Sequence, residues 1–175
     1  QIPNSKKAIG IDIHGSSTGA IVRNNRIHNF WVHDSGNPAD VLIGIRIREN
    51  ARAEITNNLI HQIADTSQGG TENRIGMGVY VVSTSATKIA GNIFWQITAH
   101  GLHSSTVGNA MIYAPNENVT VTNNAFWQKD AYSTPNYVKG GAVNTDPVIG
   151  DPKFTDLENN DFSLASDSPA IDAGP

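Results

Sequence analysis

The 175-residue chain contains no cysteine, which removes disulfides, thiolate catalysis and cysteine-held metal sites while leaving the compartment open. It is also poor in charge, at 16%, with a net charge of −4; the basic excess of a nucleic-acid-binding surface is missing. No run approaches the roughly 18 apolar residues of a membrane-crossing helix, and no basic segment followed by an apolar one opens the chain as a secretory signal would. Neither nucleic acid nor a membrane is therefore an expected partner. What the chain has instead is 16 glycines, abundant asparagine and a hydrophobic fraction of only 38%, a balance that suits a turn-rich β protein better than a helical bundle. It opens on Gln1 rather than Met and reads as a processed or trimmed product. The length fits a single domain, 1–175, or one segment of a longer solenoid.

One pattern recurs: "VRNNRIH" at 22–28, "ITNNLIH" at 55–61, "IAGNIFW" at 89–95 and "VTNNAFW" at 121–127. Its fixed member is Asn25, Asn58, Asn92 and Asn124, spaced by 33, 34 and 32 residues. Self-similarity at such a period marks stacked repeats. Upstream of each asparagine stands an alternating segment, "GIDIH" (10–14), "GIRIR" (44–48), "GVYVV" (78–82) and "AMIYA" (110–114). Period-2 alternation is that of a strand with one buried face. It turns Ile11/Ile13, Ile45/Ile47, Val79/Val81 and Met111/Tyr113 inward. Each unit thus reads as strand, polar turn, strand, Asn turn, third strand and a long connection. Nothing has the helical spacing of a tetratricopeptide or ankyrin array, and no Leu-x-x-Leu-x-Leu run is present.

This GI-x-I…I-x-x-N-x-I rhythm resembles the right-handed parallel β-helix family, the pectate-lyase-like superfold, over about residues 8–174. The ending "DPKFTDLENNDFSLASDSPAIDAG" (151–174) is similar to the C-terminal segment of many secreted bacterial members. The resemblance implies an all-β solenoid of about four coils (about 8–145) closed by a C-terminal capping segment (146–175). It also implies a secreted or cell-surface protein. In such coils equivalent residues stack about 4.8 Å apart, so the four motif asparagines form an internal ladder, each bonded to its neighbours and tolerant of left-handed backbone. Ile27, Ile60, Phe94 and Phe126 form an inner column beside it. His28, His61, Trp95 and Trp127 form the adjacent outward row.

The units exceed a minimal coil, and the surplus lies at one corner: 29–42, 62–75, 96–109 and 128–145. Insertions confined to one corner build a wall along the solenoid, and in the family that the resemblance names, the groove beside it holds polysaccharide. Its floor would carry Asp12, Arg46, Tyr80 and Ile112 outward, with His14, Arg48, Val82 and Ala114 alongside. Arg46 and Arg48 can hold a uronate carboxylate in bidentate fashion, and His14 or Tyr80 could carry a proton. Trp31, Trp95 and Trp127 suit stacking on sugar rings. The wall adds His33, Asp34, His100 and His103 as further contacts. Two histidines three apart without a third ligand make a weak metal site. Asp34, Asp40, Asp65 and Glu72 lack the clustering that calcium requires. No metal or other cofactor is expected.

Two functions follow. One is a lyase on acidic polysaccharide, in which Arg46 and Arg48 neutralise a uronate and His14 or Tyr80 moves protons with Asp12 beside them. No lysine is read on this floor, a departure from many such lyases. A glycoside hydrolase would need two carboxylates about 5–10 Å apart, and Asp12 alone does not supply them. The other is a non-catalytic carbohydrate-binding or cell-surface module. At the C-terminal end Pro147, Pro152 and Pro169 break pairing, while Phe154, Phe162, Leu164 and Ile171 would lie across the last coil and hide its edge. The N-terminal coil has no such cover, so either coils lie upstream or this end self-associates.

Overall fold

In the computed structural model, residues 7–16, 19–32, 41–65, 75–99, 110–128 and 136–171 are described. They wind through coils of three short strands. The first coil holds β1 (Lys7–Ile13), β2 (Ala20–Arg23) and β3 (Arg26–Val32); the second, β4 (Val41–Ile47), β5 (Ala53–Thr56) and β6 (Leu59–Asp65). The third holds β7 (Ile75–Val81), β8 (Thr87–Ala90) and β9 (Ile93–Ala99), and the fourth β10 (Ala110–Ala114), β11 (Val119–Thr122) and β12 (Ala125–Trp127). A fifth, shorter coil follows in β13 (Asn136–Gly140), β14 (Asn144–Thr145) and β15 (Val148–Ile149), and then an antiparallel pair, β16 (Phe154–Asp156) and β17 (Asp161–Leu164). Equivalent strands pair in parallel into three five-stranded sheets: β1-β4-β7-β10-β13, β14-β11-β8-β5-β2 and β15-β12-β9-β6-β3. This is a parallel β-helix. The expected four coils are present, with a fifth built from residues expected to be loop and cap.

The asparagines stack as expected, Asn58, Asn92 and Asn124 buried inside and Asn25 at the exposed end of the ladder, with a fixed polarity. Asn58 Oδ1 accepts the backbone N–H of Asn25 at 3.0 Å and its Nδ2–H at 3.1 Å. Asn92 Oδ1 takes the same two donors from Asn58, and Asn124 Oδ1 takes them from Asn92. The remaining amide hydrogens reach backbone carbonyls, as from Asn92 to Ile55 and Ala90. A buried amide with every group paired avoids a desolvation cost of about 1–3 kcal/mol per orphaned group. The left-handed residue, however, is not the ladder asparagine but the one before it: Asn24, Asn57, Gly91 and Asn123 have φ of 57°, 54°, 64° and 52°. That division of labour explains the doubled "NN". The first residue turns the chain, which asparagine and glycine tolerate, and the second fastens it.

A second left-handed column, Asn29, Gln62 and Gln96, bends β3, β6 and β9 in mid-strand. The bend breaks the two-residue period, so that Ile60 and Ile63 both reach the core at 0% exposure. Glycine of the GI-x-I motif has a different cause. A Cβ on Gly44 would sit 2.6 Å from the carbonyl oxygen of Gly78, and one on Gly78 would strike the Phe94 ring at 2.6 Å, so only hydrogen fits. The opposite corner has its own ladder: Ser83 Oγ donates to the Ala51 carbonyl, and Asn116 Nδ2 to that of Ser83.

Two expectations are corrected. In the fourth coil Ile112 pairs with Val79 and Tyr113 with Tyr80, so Met111 and Ile112 are buried while Tyr113 takes the outward row. Ala114 is likewise fully buried. The C-terminal segment does not lie across the end of the last coil. After the fifth coil, β16 and β17 run back along the flank of the third sheet as far as coil one, where Asn160 Oδ1 accepts from Arg26 Nη2 at 3.2 Å.

Candidate functional site

Strand pairing sets the floor of the first sheet. Asp12 is opposite Arg46, Arg46 opposite Tyr80, Tyr80 opposite Tyr113, and Tyr113 opposite Lys139. With Ile45 and Ile47 fully buried, alternation turns Arg46 outward, as the sequence predicts. Arg46 grips Asp12 with two nitrogens, Nε to Oδ1 at 3.0 Å and Nη2 to Oδ2. Arg48, one residue past β4, donates from Nε to the same Oδ1 at 3.3 Å and from Nη1 to Glu49 at 3.1 Å. One carboxylate therefore serves two guanidiniums. The Arg46 hydrogen bond is the main reason that the Asp12 carboxyl is pulled down to about 2; burial opposes it, and Arg48 adds to the lowering. Arg46 is raised in turn.

Tyr80 and Tyr113 stand side by side with ring centroids 5.4 Å apart, both half-buried. Burial, reinforced by Tyr113, lifts the Tyr80 phenol above its ordinary value, although Arg46 pulls the other way. At neutral pH Tyr80 is a proton donor and not a base. His14 is exposed just after β1; among the described residues no hydrogen bond or ion pair joins it to Asp12 or the arginines. Lys139 corrects the expectation of a lysine-free floor. It was hidden because 128–145 reads as one long connection, whereas 136–140 is a strand whose Tyr137 packs on Phe126 at 5.2 Å. Tyr113 was missed with it, through the shifted frame of "AMIYA".

The long connections join this sheet at the first residues of β4, β7, β10 and β13. Arg46 lies five residues beyond the start of β4, roughly 16 Å along an extended strand. The charged cluster therefore sits beside the 48–52 corner and not at the edge where the long connections enter the sheet. His33, Asp34, His100 and His103 lie outside the described residues, as do Asp40 and Glu72. Trp31 belongs to β3 and pairs with Ala64.

The other outward row has a different fate. His28, His61, Trp95 and Trp127 stack in register on the third sheet, but β16 and β17 cover the middle of the row, His61 and Trp95. Phe162 lies 4.7 Å from the His61 ring and Phe154 5.7 Å from Trp95. Trp95 is 7% exposed and His61 0%, and Trp127 is half-buried. The expectation that Trp95 stands free for sugar stacking is thereby overturned. Arg26 completes the roof, its guanidinium 3.6 Å from the centre of Phe162 while its Nε donates to His61 Nε2 at 3.2 Å. Burial above all, with the charges of His28 and Arg26, pushes His61 down to about 3.

A family model described as the right-handed beta helix region matches residues 4–145. The chain belongs to the right-handed β-helix family. No curated protein and no solved structure matches it. Membership accounts for the stacked coils and leaves the chemistry to the site, because one fold hosts unrelated functions.

Proposed function

We propose that the floor of the first sheet binds an acidic polysaccharide outside the cell, as a secreted or surface-held module. The observation that carries this reading is the sharing of Asp12 by Arg46 and Arg48; with Glu49 also on Arg48 the cluster is balanced, so a uronate carboxylate enters by exchange with one that two guanidiniums now share. The two arginine side chains remain 26% and 35% exposed, so a uronate carboxylate can meet them without burying an unpaired ion. Tyr80 and Tyr113 follow in the same row as ring surfaces for the uncharged parts of a sugar, with Lys139 one strand further. Each step along the row is one strand spacing, about 4.8 Å, so a chain-like ligand laid across the strands meets them in sequence.

Lyase chemistry on this floor would use Arg46 and Arg48 to neutralise the uronate and Tyr80 to protonate the leaving oxygen. It would still need a base for the C5 proton. Tyr80 is held protonated, Asp12 is committed to two arginines, His14 is bonded to none of them among the described residues, and Lys139 stands two strands beyond Tyr80, so binding without chemistry is the better-supported of the two readings. Calorimetric titration with a panel of oligouronates and matched neutral oligosaccharides, run beside an absorbance assay for unsaturated products, tests both. Binding of acidic oligomers without product supports the module. Product formation abolished by Tyr80→Phe makes it a lyase, and equal affinity for neutral oligomers removes the reading altogether.

A further inference from the structure

The ladder has two unlike ends. Thr122 pairs with Thr145 and Asp146 repeats the left-handed turn at φ 48°, so the next ladder position falls on Pro147. Proline offers neither an N–H nor a side-chain oxygen, and the ladder stops there. At the other end it is open among the described residues. Asn25 gives its N–H and Nδ2 to Asn58, but among the described residues nothing donates to its own Oδ1. Every later ladder oxygen takes two donors from the coil before it. The apolar stack is unfinished at the same place. Ile9 and Ile11 are only half-buried, whereas their partners Ile43 and Ile45 are 1% and 0% exposed. Asn25 itself is exposed.

We infer that the N-terminal end of the solenoid is a docking face for one further Asn-turn coil, a segment of the pattern apolar-x-x-Asn-x-apolar. It would add in parallel register ahead of β2 and β3, its asparagine donating N–H and Nδ2–H to Asn25 Oδ1. The face continues the interface already repeated between coils one to four, which is why the chemistry of its occupant can be stated. Strand addition to an open edge supplies main-chain bonds, and the asparagine and inward apolar residues supply register. A second copy of this chain fits poorly. Docked head to head, two Asn25 oxygens would face each other as acceptors. Docked head to tail, the partner's last coil would present exposed Val143 and Ile149 but a proline where the donors are needed.

The test is fluorescence anisotropy on the full chain with a labelled synthetic peptide of residues 53–65, which carries one such turn. Saturable binding is expected, weakened about tenfold or more when the peptide's Asn58 is replaced by alanine and by a similar factor in the chain variant Asn25→Ala. Asn25→Asp, which keeps an acceptor oxygen, should still bind, and thermal melts establish that both variants are folded. The inference is overturned if no saturable binding occurs up to the peptide's solubility, or if the alanine peptide binds as well as the parent. It is also overturned if light scattering finds a dimer whose N-terminal face the peptide cannot enter.

Discussion

The first and third sheets each send a column of side chains out of the coil, and the two columns live in different media. On the first sheet Asp12 and Arg46 meet as an ion pair with about a quarter of each side chain in water. On the third, His28 and His61 stack with rings 4.9 Å apart and nearly parallel, and His61 is sealed by Phe162. Because Arg26 donates to His61 Nε2, the neutral ring carries its proton on Nδ1, and no well-formed hydrogen bond reaches that buried atom from the described residues. An open column can stay charged and exchange partners. A roofed one must be neutral and bear that poorly paired donor, at a cost of up to about 3 kcal/mol. Strand alternation decides only which way a residue points; what arrives from elsewhere in the chain decides its chemistry.

The largest test of that contrast is to lift the roof. Phe162→Ala removes the ring that touches His61, Trp95, Phe154 and Arg26. It should cost about 2–4 kcal/mol of unfolding free energy, below the full range for a core phenylalanine because Phe162 is half-buried. Arg46→Ala on the open column should cost under about 1 kcal/mol. Urea melts of both variants measure the difference. Equal losses would mean that the two columns are energetically alike and that the hairpin is decoration.

Acid separates the columns next. The folded value of His61, about 3, lies below its ordinary 6.5, so between those values the unfolded chain holds a proton that the folded chain does not. Stability is complete above pH 6.5 and falls as pH drops toward 3, by at most about 1.4 kcal/mol per unit. Asp12, lowered from 3.8 to about 2, loses its contribution only below pH 3.8, and its exposure keeps that contribution small. Acid unfolding should therefore begin at the roofed histidine, while Asp12 is still ionised. Urea melts from pH 7 to 3 should slope downward in the parent and flatten in His61→Phe, whose ring can occupy the stack without titrating. A slope unchanged by that substitution would assign the acid sensitivity elsewhere.

The contrast also marks where the sequence stops being readable. Coil, ladder and the outward direction of Arg46 and Arg48 were legible, because each rests on a repeated pattern: a period of two beside Ile45 and Ile47, a period near 33 between asparagines. The frame of the fourth coil was not. In "AMIYA" every position but Tyr113 is buried, so alternation carries no phase and pairing with β7 decides it. Lys139 was concealed by the same kind of silence, a five-residue strand inside a long polar connection. Phe154 and Phe162 were correctly marked as covering residues, but local pattern cannot tell an end cap from a flank. That depends on where the hairpin leaves the fifth coil.

On the open column the arginines can be removed without much structural cost, so binding reports on them directly. Arg46→Ala and Arg48→Ala should each weaken oligouronate affinity about tenfold, a charge-assisted contact being worth roughly 1.5–3 kcal/mol, with thermal stability nearly unchanged. Affinity in the parent should fall as salt rises, since half-exposed charges are screened. A double variant that binds as well as the parent would reduce the pair to scaffolding and shift the reading onto Tyr80, Tyr113 and Lys139.

The smallest effect is the most discriminating. Asp12→Asn keeps shape and an acceptor oxygen but removes the charge that both arginines now share. Stability should change by less than about 1 kcal/mol, because the pair is partly exposed and solvent replaces much of what is lost. Affinity for an acidic oligomer should rise a few-fold at low salt and return toward the parent value at high salt, since the added charge acts through a screened field. The sign of the change carries the information. If Asp12 merely occupies the arginines until a uronate arrives, its neutralisation releases them and binding tightens. If Asp12 instead holds the two guanidiniums in a fixed fork, as the two-nitrogen grip of Arg46 allows, its loss lets them wander and binding weakens despite the more positive surface. Titration of a single oligouronate at two salt concentrations, parent against variant, separates these outcomes. Weaker binding in the variant at both salts would make Asp12 a positioning residue of the site rather than a competitor for it.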